Sequence, residues 1–434
     1  MPDIPILVYN DDRSRVLTVP SEGYQTLPTI ELDGNPMWGP QIVRNAVRQR
    51  LGLEISVLQY LDWESQTVCL VDNHGSVPLT NGNTWSELST ATLAPASDSG
   101  VSLLHELVCQ SDQRAWPWEL PGWFGGIGDW IQTELRAAGL AATEPLIQQK
   151  IGGPSTVLSV VTTGGPVWFK ADQGVAPTEG VILNHLSEYV PDQIPSILVV
   201  DPERRWMLTR HFGDGFGATL RGVPDKEWER ALSGFSQLQL DIHQDLAKWR
   251  TYGLPELPAE RIEAGIQDLL DDEACLGQSG GFDESTIHLL RDRRPEASTA
   301  IHALRDSFFP ISLDNRDFAA HHIAKVDEGF VYFDWGYCSL SHPFFSMVRF
   351  LEYLHSFGGD LGSEVFERLI SAYLEPWTNL SAPNDLREAF RRAERACPLH
   401  QAVCWYLERG NVNPATSPNI MQRPANSLRA FFSI

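Results

Sequence analysis

The spacing of apolar residues divides the 434-residue chain into a part with several strands and a later part that is largely helical. Short β-prone runs bounded by Gly, Pro or Asp predict strands up to about residue 213. Beyond that point apolar residues recur at helical spacing, which predicts helices over 225–249, 284–308, 344–357, 363–377 and 384–410. The Pro- and Asn-rich stretch 411–427 is predicted to be a loop.

Residues 1–110 are predicted to form a separate small α/β domain. Val43–Leu61 has the pattern of an amphipathic helix, a break at Gly52 and then a strand, and QTVCLVD predicts a second strand. This order resembles a Nudix-like fold. Aligned on Gly52, however, the positions of its metal-binding glutamates hold Ala46, Gln49 and Arg50. Because that hydrolase chemistry needs several carboxylates around a metal, we expect a degenerate, non-catalytic domain with a structural or regulatory role.

Residues 111–145 are predicted to be a Trp-rich linker and a helix that closes at Gly139. The linker holds Trp116, Trp118, Trp123 and Trp130 among prolines and glycines. An exposed aromatic cluster could bind a sugar or a base. The alternative, which we favour, is a structural staple, since aromatic side chains contribute much burial energy.

A strand-rich segment follows over residues 146–213. Two strands joined at Gly164-Gly165 are preceded by the Gly-rich stretch 152–156. Backbone N–H groups and the hydroxyls of Ser155 and Thr156 could cradle phosphate oxygens there, although an ordinary hairpin would show the same pattern. A helix over 177–191 and two strands with a turn at Pro202-Glu203 complete the segment.

The pattern richest in candidate chemistry lies at residues 312–345. HHIAK, a turn at 326–329 and the apolar FVYF predict a β-hairpin, with Asp317 in the loop before it and Asp334 directly after it. A hairpin folds back on itself, so both carboxylates can face one cleft although 17 positions separate them. They could be solvated turn residues. They also suit phosphoryl transfer, in which one carboxylate accepts the proton of a hydroxyl and the other holds a metal.

This stretch resembles the aminoglycoside phosphotransferase and choline kinase-like families, whose pattern is H-G-D-x-x-x-x-N, a hairpin, D-W and then H-P-F-F. Asp317 and Asp334 fall on the catalytic and the metal-binding aspartates, and 341–345 (SHPFF) matches a helix start of some members. The resemblance implies an α+β, protein kinase-like bilobal fold. Its small β-rich N-lobe and hinge would span 146–213, and its helical C-lobe would span 214–434.

The same resemblance implies the other site residues. Lys170, oriented by Glu179, would hold the phosphates of ATP or GTP, and the backbone from Leu208 to Arg210 would bind the purine. Arg316 would either stabilise the ionised Asp317 or serve the loop structurally. The implied reaction transfers a phosphoryl group to a hydroxyl of a small molecule, such as an aminoglycoside, an amino alcohol or a sugar.

Two positions depart from the family pattern. Asn315 replaces a His that buttresses the loop, and Asn can still hydrogen-bond backbone there. His322 replaces the second metal-binding Asn, and imidazole suits Mn²⁺ or Zn²⁺ better than Mg²⁺. The metal is therefore expected to be Mg²⁺ or Mn²⁺, at Asp334 and His322. A nucleotide-binding or ligand-sensing pseudokinase is the alternative.

Charge and composition narrow the partners. The net charge of −23 disfavours nucleic acid and anionic membranes, and it suits a cationic substrate or simply a solvated acidic surface. Residues 240–284 hold 11 Asp or Glu against three Lys or Arg, which is compatible with either reading. Six Cys without a CxxC pair and the absence of a signal or membrane-spanning pattern lead us to expect a cytoplasmic protein with reduced thiols. No pattern indicates an oligomeric state.

Overall fold

A computed structural model describes residues 3–10, 15–21, 24–32, 39–63, 66–75, 83–87, 116–173, 178–213, 225–327, 329–357, 362–411 and 418–434. The chain forms two compact units. The first comprises Met1–Gln173 with Trp206–Thr209, and the second comprises Gly174–Arg205 with Arg210–Ile434. The predicted boundary at residue 110 lies outside the described residues, so the separate domain 1–110 stays a prediction.

The first unit contains most of the strands. They are β1 (Asp3–Val8), β2 (Arg15–Ser21), β3 (Tyr24–Thr26), β4 (Thr29–Glu31), β5 (Ile55–Trp63), β6 (Gln66–Asn73), β7 (Thr84–Glu87), β8 (Ile147–Lys150), β9 (Ser155–Thr162), β10 (Gly165–Asp172) and β12 (Trp206–Arg210), whose last residue belongs to the second unit. The α-helices are α1 (Pro40–Leu51) and α2 (Trp123–Ala137).

The N-terminal strands confirm the predicted helix, break and strand. β4, β1, β6 and β5 form a sheet in that order, with β1 parallel to β6, and β2 pairs with β3 and β7. Alternate residues such as Ile6 and Val71 bury one face of the sheet against Val43 and Val47 of α1. Gly52 ends α1 with a φ of 67°, a left-handed conformation that glycine adopts without steric cost. The resemblance to Nudix folds stays a prediction.

The tryptophans of the linker pack into one aromatic cluster of the first unit. Trp130 lies 5.2 Å from Trp206 and 5.9 Å from Phe169, measured between ring centroids, and Trp123 lies 6.2 Å from Phe169. Trp118 is buried and contacts Trp123. These contacts join the linker and α2 to β10 and β12, which supports the structural-staple interpretation.

The strand-rich segment after the linker folds as predicted. β9 and β10 pair in antiparallel register from Gly165 opposite Thr162 to Asp172 opposite Ser155. Gly165, with a φ of 94°, closes their turn. β8, not predicted as a strand, pairs with β9, and β12 lies beside β10.

The second unit is mainly helical. Its α-helices are α3 (Glu179–Leu186), α4 (Asp225–Gln244), α5 (Leu246–Trp249), α6 (Ala259–Asp271), α7 (Glu284–Asp292), α8 (Arg294–Arg305), α9 (Phe344–Phe357), α10 (Ser363–Leu374), α11 (Pro383–Glu408) and α12 (Pro418–Phe432). Its strands are β11 (Ile197–Asp201), β13 (Ser312–Asn315), β14 (Ile323–Val326), β15 (Gly329–Tyr332) and β16 (Cys338–Ser341).

Two predictions for the second unit were wrong. HHIAK is not one strand, because Ala320–His322 form a 3₁₀ turn and β14 begins at Ile323. The predicted loop 411–427 contains α12, which begins at Pro418 and continues through Pro424. Proline is tolerated at a first helical position, and Ile420, Leu428 and Phe431 are buried at helical spacing. Tertiary packing outweighs the local preference against helix here.

Among the described residues, no helix is long and apolar enough to cross a bilayer. The five described cysteines are all buried and unpaired. Several acidic side chains between residues 240 and 284 are already held by cations of neighbouring helices, including Asp271 by Arg294 at 2.6 Å and Asp272 by Arg409 at 3.3 Å. These pairs favour a structural role for that acidic stretch.

Substituting Gly280 tests the packing of α12. An added Cβ would lie 2.6 Å from the Ala425 Cβ and 2.6 Å from the Leu276 carbonyl oxygen, too close for either contact. We expect Gly280→Ala to lower the free energy of unfolding by about 1–3 kcal/mol. Thermal and denaturant unfolding of the purified variant measure the change.

The matched control is Gly125→Ala. Gly125 is exposed in α2, and a Cβ there meets nothing within 4 Å. This variant should gain about 0.5–1 kcal/mol, because alanine favours helix. Equal stability of the two variants would contradict the packing of α12 against residue 280.

Candidate active site

Two nested pairs of strands build the site. β13 pairs antiparallel with β16, ending with Asn315 opposite Cys338, and β14 pairs with β15 in the segment between them. Asp317 follows the end of β13 by two residues, and Asp334 lies four residues before β16. Both carboxylates therefore lie where the inner hairpin leaves the outer pair. The predicted turn is present, and Asp327 adopts a φ of 43° in it.

Asn315 joins the two sides of this arrangement. Its Nδ2 donates to the carbonyl oxygen of Asp334 at 3.2 Å, and its Oδ1 accepts the backbone N–H of Asp317 at 3.0 Å. Asn315 is almost fully buried, so these hydrogen bonds are shielded from water. The asparagine thus makes the backbone contacts expected of the residue at this position.

Asp317, His322 and Asp334 form a cluster of possible metal ligands. One ligand atom from each lies within 4.8 Å of the others. His322 Nε2 lies 3.4 Å from Asp334 Oδ2, while its Nδ1 lies 2.7 Å from the backbone carbonyl of Asp317. A carbonyl oxygen can only accept, so Nδ1 donates its proton there and Nε2 is the ring nitrogen that faces Asp334.

Asp334 has a φ of 62°, a left-handed conformation that is uncommon for a residue with a side chain. Such strain is maintained only where the surroundings fix the backbone. The hydrogen bond from Asn315 to its carbonyl is one such restraint, and the next residue provides another. The N–H of Trp335 donates to Glu179 Oε1 at 3.1 Å.

One face of α9 holds the loop that carries Asp317. Ser346 Oγ accepts the N–H of Asn315 at 2.8 Å, and Arg349 Nε donates to the carbonyl of Arg316 at 3.3 Å. Tyr353 Oη donates to Asp317 Oδ1 at 2.6 Å. The three side chains follow an i, i+3, i+7 spacing, so consecutive turns of the helix contact consecutive loop residues.

Tyr353 was not identified from the sequence, and only its helical spacing from Ser346 could have indicated it. Burial, together with the charge of Asp317, raises the pKa of Tyr353 to about 12. The phenol therefore remains a hydrogen-bond donor at neutral pH. It orients one oxygen of the Asp317 carboxylate.

The contacts of Arg316 favour a structural role in the loop over stabilisation of the ionised Asp317. Its side chain is buried, forms an ion pair with Glu408, and stacks 5.1 Å from the ring centroid of Trp405 and 5.6 Å from that of Tyr337. A cation held in this way fixes the loop to α11. A catalytic role of Arg316 stays a prediction.

Glu179 and Lys170 belong to different compact units, and their pairing stays a prediction. Glu179 begins α3, as predicted, and is only 2% exposed. Its described contact is with the backbone beside Asp334. Lys170 lies inside β10, opposite Val157, and its side chain is half-buried.

The Gly-rich stretch of the first unit forms a tight loop between β8 and β9. Gly152 and Gly153 have φ values of 82° and 68°, which only glycine adopts readily. Lys150 Nζ, not singled out by sequence, donates to Ser155 Oγ at 3.0 Å. The hydroxyl of Thr156 is buried and donates to the Lys150 carbonyl at 2.8 Å, and its phosphate contact stays a prediction.

The predicted purine-binding backbone lies in β12. Leu208 is buried, and the N–H of Arg210 donates to the carbonyl of Ser196 at 2.8 Å. That donor is thus already used. The remaining backbone groups of Leu208–Arg210 stay predicted purine contacts.

A buried polar network lies behind the loop. Asp314 Oδ1 accepts the hydroxyl of Ser346 at 2.8 Å, and Asp314 Oδ2 lies 3.7 Å from His400 Nε2. Both residues are fully buried. Burial raises the pKa of Asp314 to about 7 and lowers that of His400 well below its ordinary value.

No protein-family model matches the chain, and no curated protein matches it in sequence. Solved structures with a similar fold include a choline/ethanolamine kinase family protein from Mesorhizobium loti, with 16% identity, a TM-score of 0.46, and coverage of 71% of this chain and 95% of that one. The corresponding values are 14%, 0.47, 76% and 90% for Plasmodium vivax ethanolamine kinase. For macrolide 2'-phosphotransferase type I they are 13%, 0.45, 70% and 96%. Similarity at this level leaves substrate and activity undefined.

The order of elements supports the predicted fold class. From β8 the chain runs through three strands, a helix and two strands, and then through helices interrupted by the hairpin between Asp317 and Asp334. This is the order that the sequence resemblance implies. The α+β, protein kinase-like fold class is thus confirmed.

The raised pKa of Asp314 predicts a pH-dependent stability. Its carboxyl binds a proton up to about pH 7 when folded but only up to about 3.8 when unfolded, so its contribution to stability is lost as the pH rises through that window. Asp314→Asn should remove a slope of up to about 1.4 kcal/mol per pH unit. Melting temperatures of both proteins between these pH values measure it.

Asp327→Asn, in the exposed hairpin turn, serves as the control and should follow the wild-type profile. Parallel profiles for Asp314→Asn and the wild type would show that folding does not change the pKa of this carboxyl.

Proposed function

We propose that the protein is a phosphotransferase that moves the terminal phosphoryl group of ATP or GTP to a hydroxyl of a small molecule. The observation that carries the proposal is the cluster of Asp317, His322 and Asp334 around one point, with Asp317 oriented by Tyr353. Phosphoryl transfer requires one carboxylate that holds a metal and one that acts as a base. Asp334, together with His322, suits the first role, and Asp317 suits the second.

The donor set fits a divalent metal. Carboxylate oxygen suits Mg²⁺ and Mn²⁺, and Nε2 of His322 adds a nitrogen that favours Mn²⁺. Asp334 and His322 would hold the ion, since Oδ2 and Nε2 lie 3.4 Å apart. When bound, it would neutralise charge on the nucleotide phosphates.

Asp317 would act as the base. Its Oδ1 accepts from Tyr353, which leaves the second oxygen of the carboxylate to accept the proton of the acceptor hydroxyl. The acceptor O–H bond breaks, and the acceptor oxygen forms the new O–P bond. The bond from the terminal phosphorus to the β–γ bridging oxygen breaks, and the nucleoside diphosphate leaves with that electron pair.

Catalysis of this kind depends mainly on positioning. Asn315 and Tyr353 fix Asp317 from two directions, and Glu179 and Asn315 fix the backbone at Asp334. Within the first unit, Lys170 and the loop at Ser155 remain our candidates for phosphate binding.

The alternative is a nucleotide sensor without turnover, which the imidazole at position 322 favours. Both functions include nucleotide binding, so binding and transfer have to be measured separately. Only the enzyme would bind an acceptor hydroxyl and remove its proton.

Substitutions of Asp334 and Asp317 should affect nucleotide binding and turnover differently. We expect Mg²⁺- or Mn²⁺-dependent melting-temperature increases with ATP, GTP or a non-hydrolysable analogue, because a ligand that binds the folded state stabilises it. Asp334→Ala should abolish the metal-dependent part. Asp317→Asn should keep the shift and lower the rate of nucleoside diphosphate release by about 10²–10⁴-fold.

Asp327→Asn, in the same hairpin, should keep both properties. A nucleotide shift indifferent to metal and to Asp334, with no turnover in the wild type, would establish the sensor instead. No shift with any nucleotide would refute both functions.

His322→Asn tests the metal ligand directly. Its amide oxygen is a harder ligand than imidazole nitrogen, so the variant should depend more on Mg²⁺ and less on Mn²⁺. The melting-temperature shift with a non-hydrolysable ATP analogue, titrated with each metal, measures the change without relying on turnover. An unchanged ratio of the two metal affinities would exclude His322 as a ligand.

A further inference from the structure

A cavity of about 350 Å³ in the second unit opens beside Asp317. α9, α11 and α12 each contribute to its lining, and residues that matter here are Asp317, Tyr353, Gln401, Trp405, Arg423 and Ser427. A volume near the lower end of ligand pockets suits a small molecule. Because the cavity touches the proposed base, it is the place for the acceptor.

The arginines of this cavity differ in whether they form an ion pair. Arg316 forms an ion pair with Glu408, and Arg349 forms one with Glu352. Arg423 lies 4.0 Å above the ring centroid of Trp405, is exposed, and forms no ion pair with any residue that the structure describes. Its charge acts on the buried carboxylate of Glu408, but that carboxylate is paired with Arg316, so the exposed guanidinium on the wall formed by α12 can still bind a ligand.

Two residues of the lining also carry buried donor atoms. Gln401 is only 4% exposed, and its Nε2 has no hydrogen-bond partner among the described residues. Nε and Nη1 of the buried Arg316 also lack partners there. These atoms have almost no accessible surface, whereas the exposed guanidinium of Arg423 can be reached by a ligand in the cavity.

We propose that the acceptor is a small alcohol that carries an anionic group, either a carboxylate or a phosphate. This inference rests on the proposed function. The hydroxyl lies at Asp317, and the anionic group lies toward Arg423. A guanidinium that is stacked on an aromatic ring and forms no ion pair with a described carboxylate is well suited to bind such a group.

The inference departs from the expectation of a cationic substrate. The net charge of −23 describes the whole surface, whereas an acceptor meets only the lining of the cavity. There the carboxylate of Glu352 is already held by Arg349, and that of Asp317 is reserved for the hydroxyl. A cationic acceptor would bring its charge close to Arg423.

Four related alcohols test the proposal: D-glycerate, glycerol 3-phosphate, uncharged glycerol and cationic ethanolamine. Calorimetric titration of the full-length protein should show binding of one or both anionic alcohols, and weaker binding of the other two. The preferred anion distinguishes a carboxylate from a phosphate site. Arg423→Gln should weaken binding of the preferred anion by about 10- to 100-fold.

Arg261→Gln is the matched control, because it removes the same charge from an exposed arginine of α6 outside the cavity. It should leave all four affinities unchanged. Arg423→Glu should reverse the order and favour ethanolamine. Because Arg423 is exposed, neither variant is expected to impair folding.

Equal or tighter binding of glycerol or ethanolamine by the wild type would overturn the inference, as would affinities insensitive to Arg423 or no binding of either anion at millimolar concentration. Phosphoryl transfer is assayed separately. Transfer to ethanolamine alone would support the proposed function and refute the anionic acceptor. Arg423-dependent binding of an anion without transfer would support the anion site and contradict the proposed function.

Discussion

The pairing of β13 with β16 is the constraint on which the candidate site depends. These two short strands close a segment of 22 residues, so everything between Asn315 and Cys338 has to leave and return at one place. Asp317 and Asp334 occupy those two exits. Without this pairing the hairpin alone would fix only the residues next to it, and the carboxylates would lie on flexible connections. The second layer of restraint is α9, whose side chains bind three consecutive residues of the loop.

The parts of this arrangement that the sequence predicts are those with strong local signals. The inner hairpin has an Asp-containing turn between apolar runs, and the helices have clear periodicity. Asp317 and Asp334 could be placed because they flank that hairpin. β13 could not, since Ser312, Asp314 and Asn315 are polar yet buried, and four residues are too few for alternation to show.

Other features were missed because they depend on contacts distant in sequence. α12 contains two prolines, and its burial against α11 decides its structure more than propensity does. Tyr353 resembles any helix-surface tyrosine until the position of Asp317 is known. The unused donors of Arg316 and Gln401 can be recognised only once their neighbours are in place.

The misplaced start of β14 has a local cause, since His322 is held by the Asp317 carbonyl in a tight turn.

The position of α12 in the chain has a consequence for biosynthesis. The reacting groups lie between residues 315 and 334, whereas Arg423 and Ser427 on the cavity wall follow them by about ninety residues of further translation. The residues of the strand pairs and of the carboxylate cluster are therefore synthesised well before this wall of the cavity. A polypeptide released upstream of α12 would contain Asp317, His322 and Asp334 but would lack the side of the cavity that Arg423 and Ser427 line.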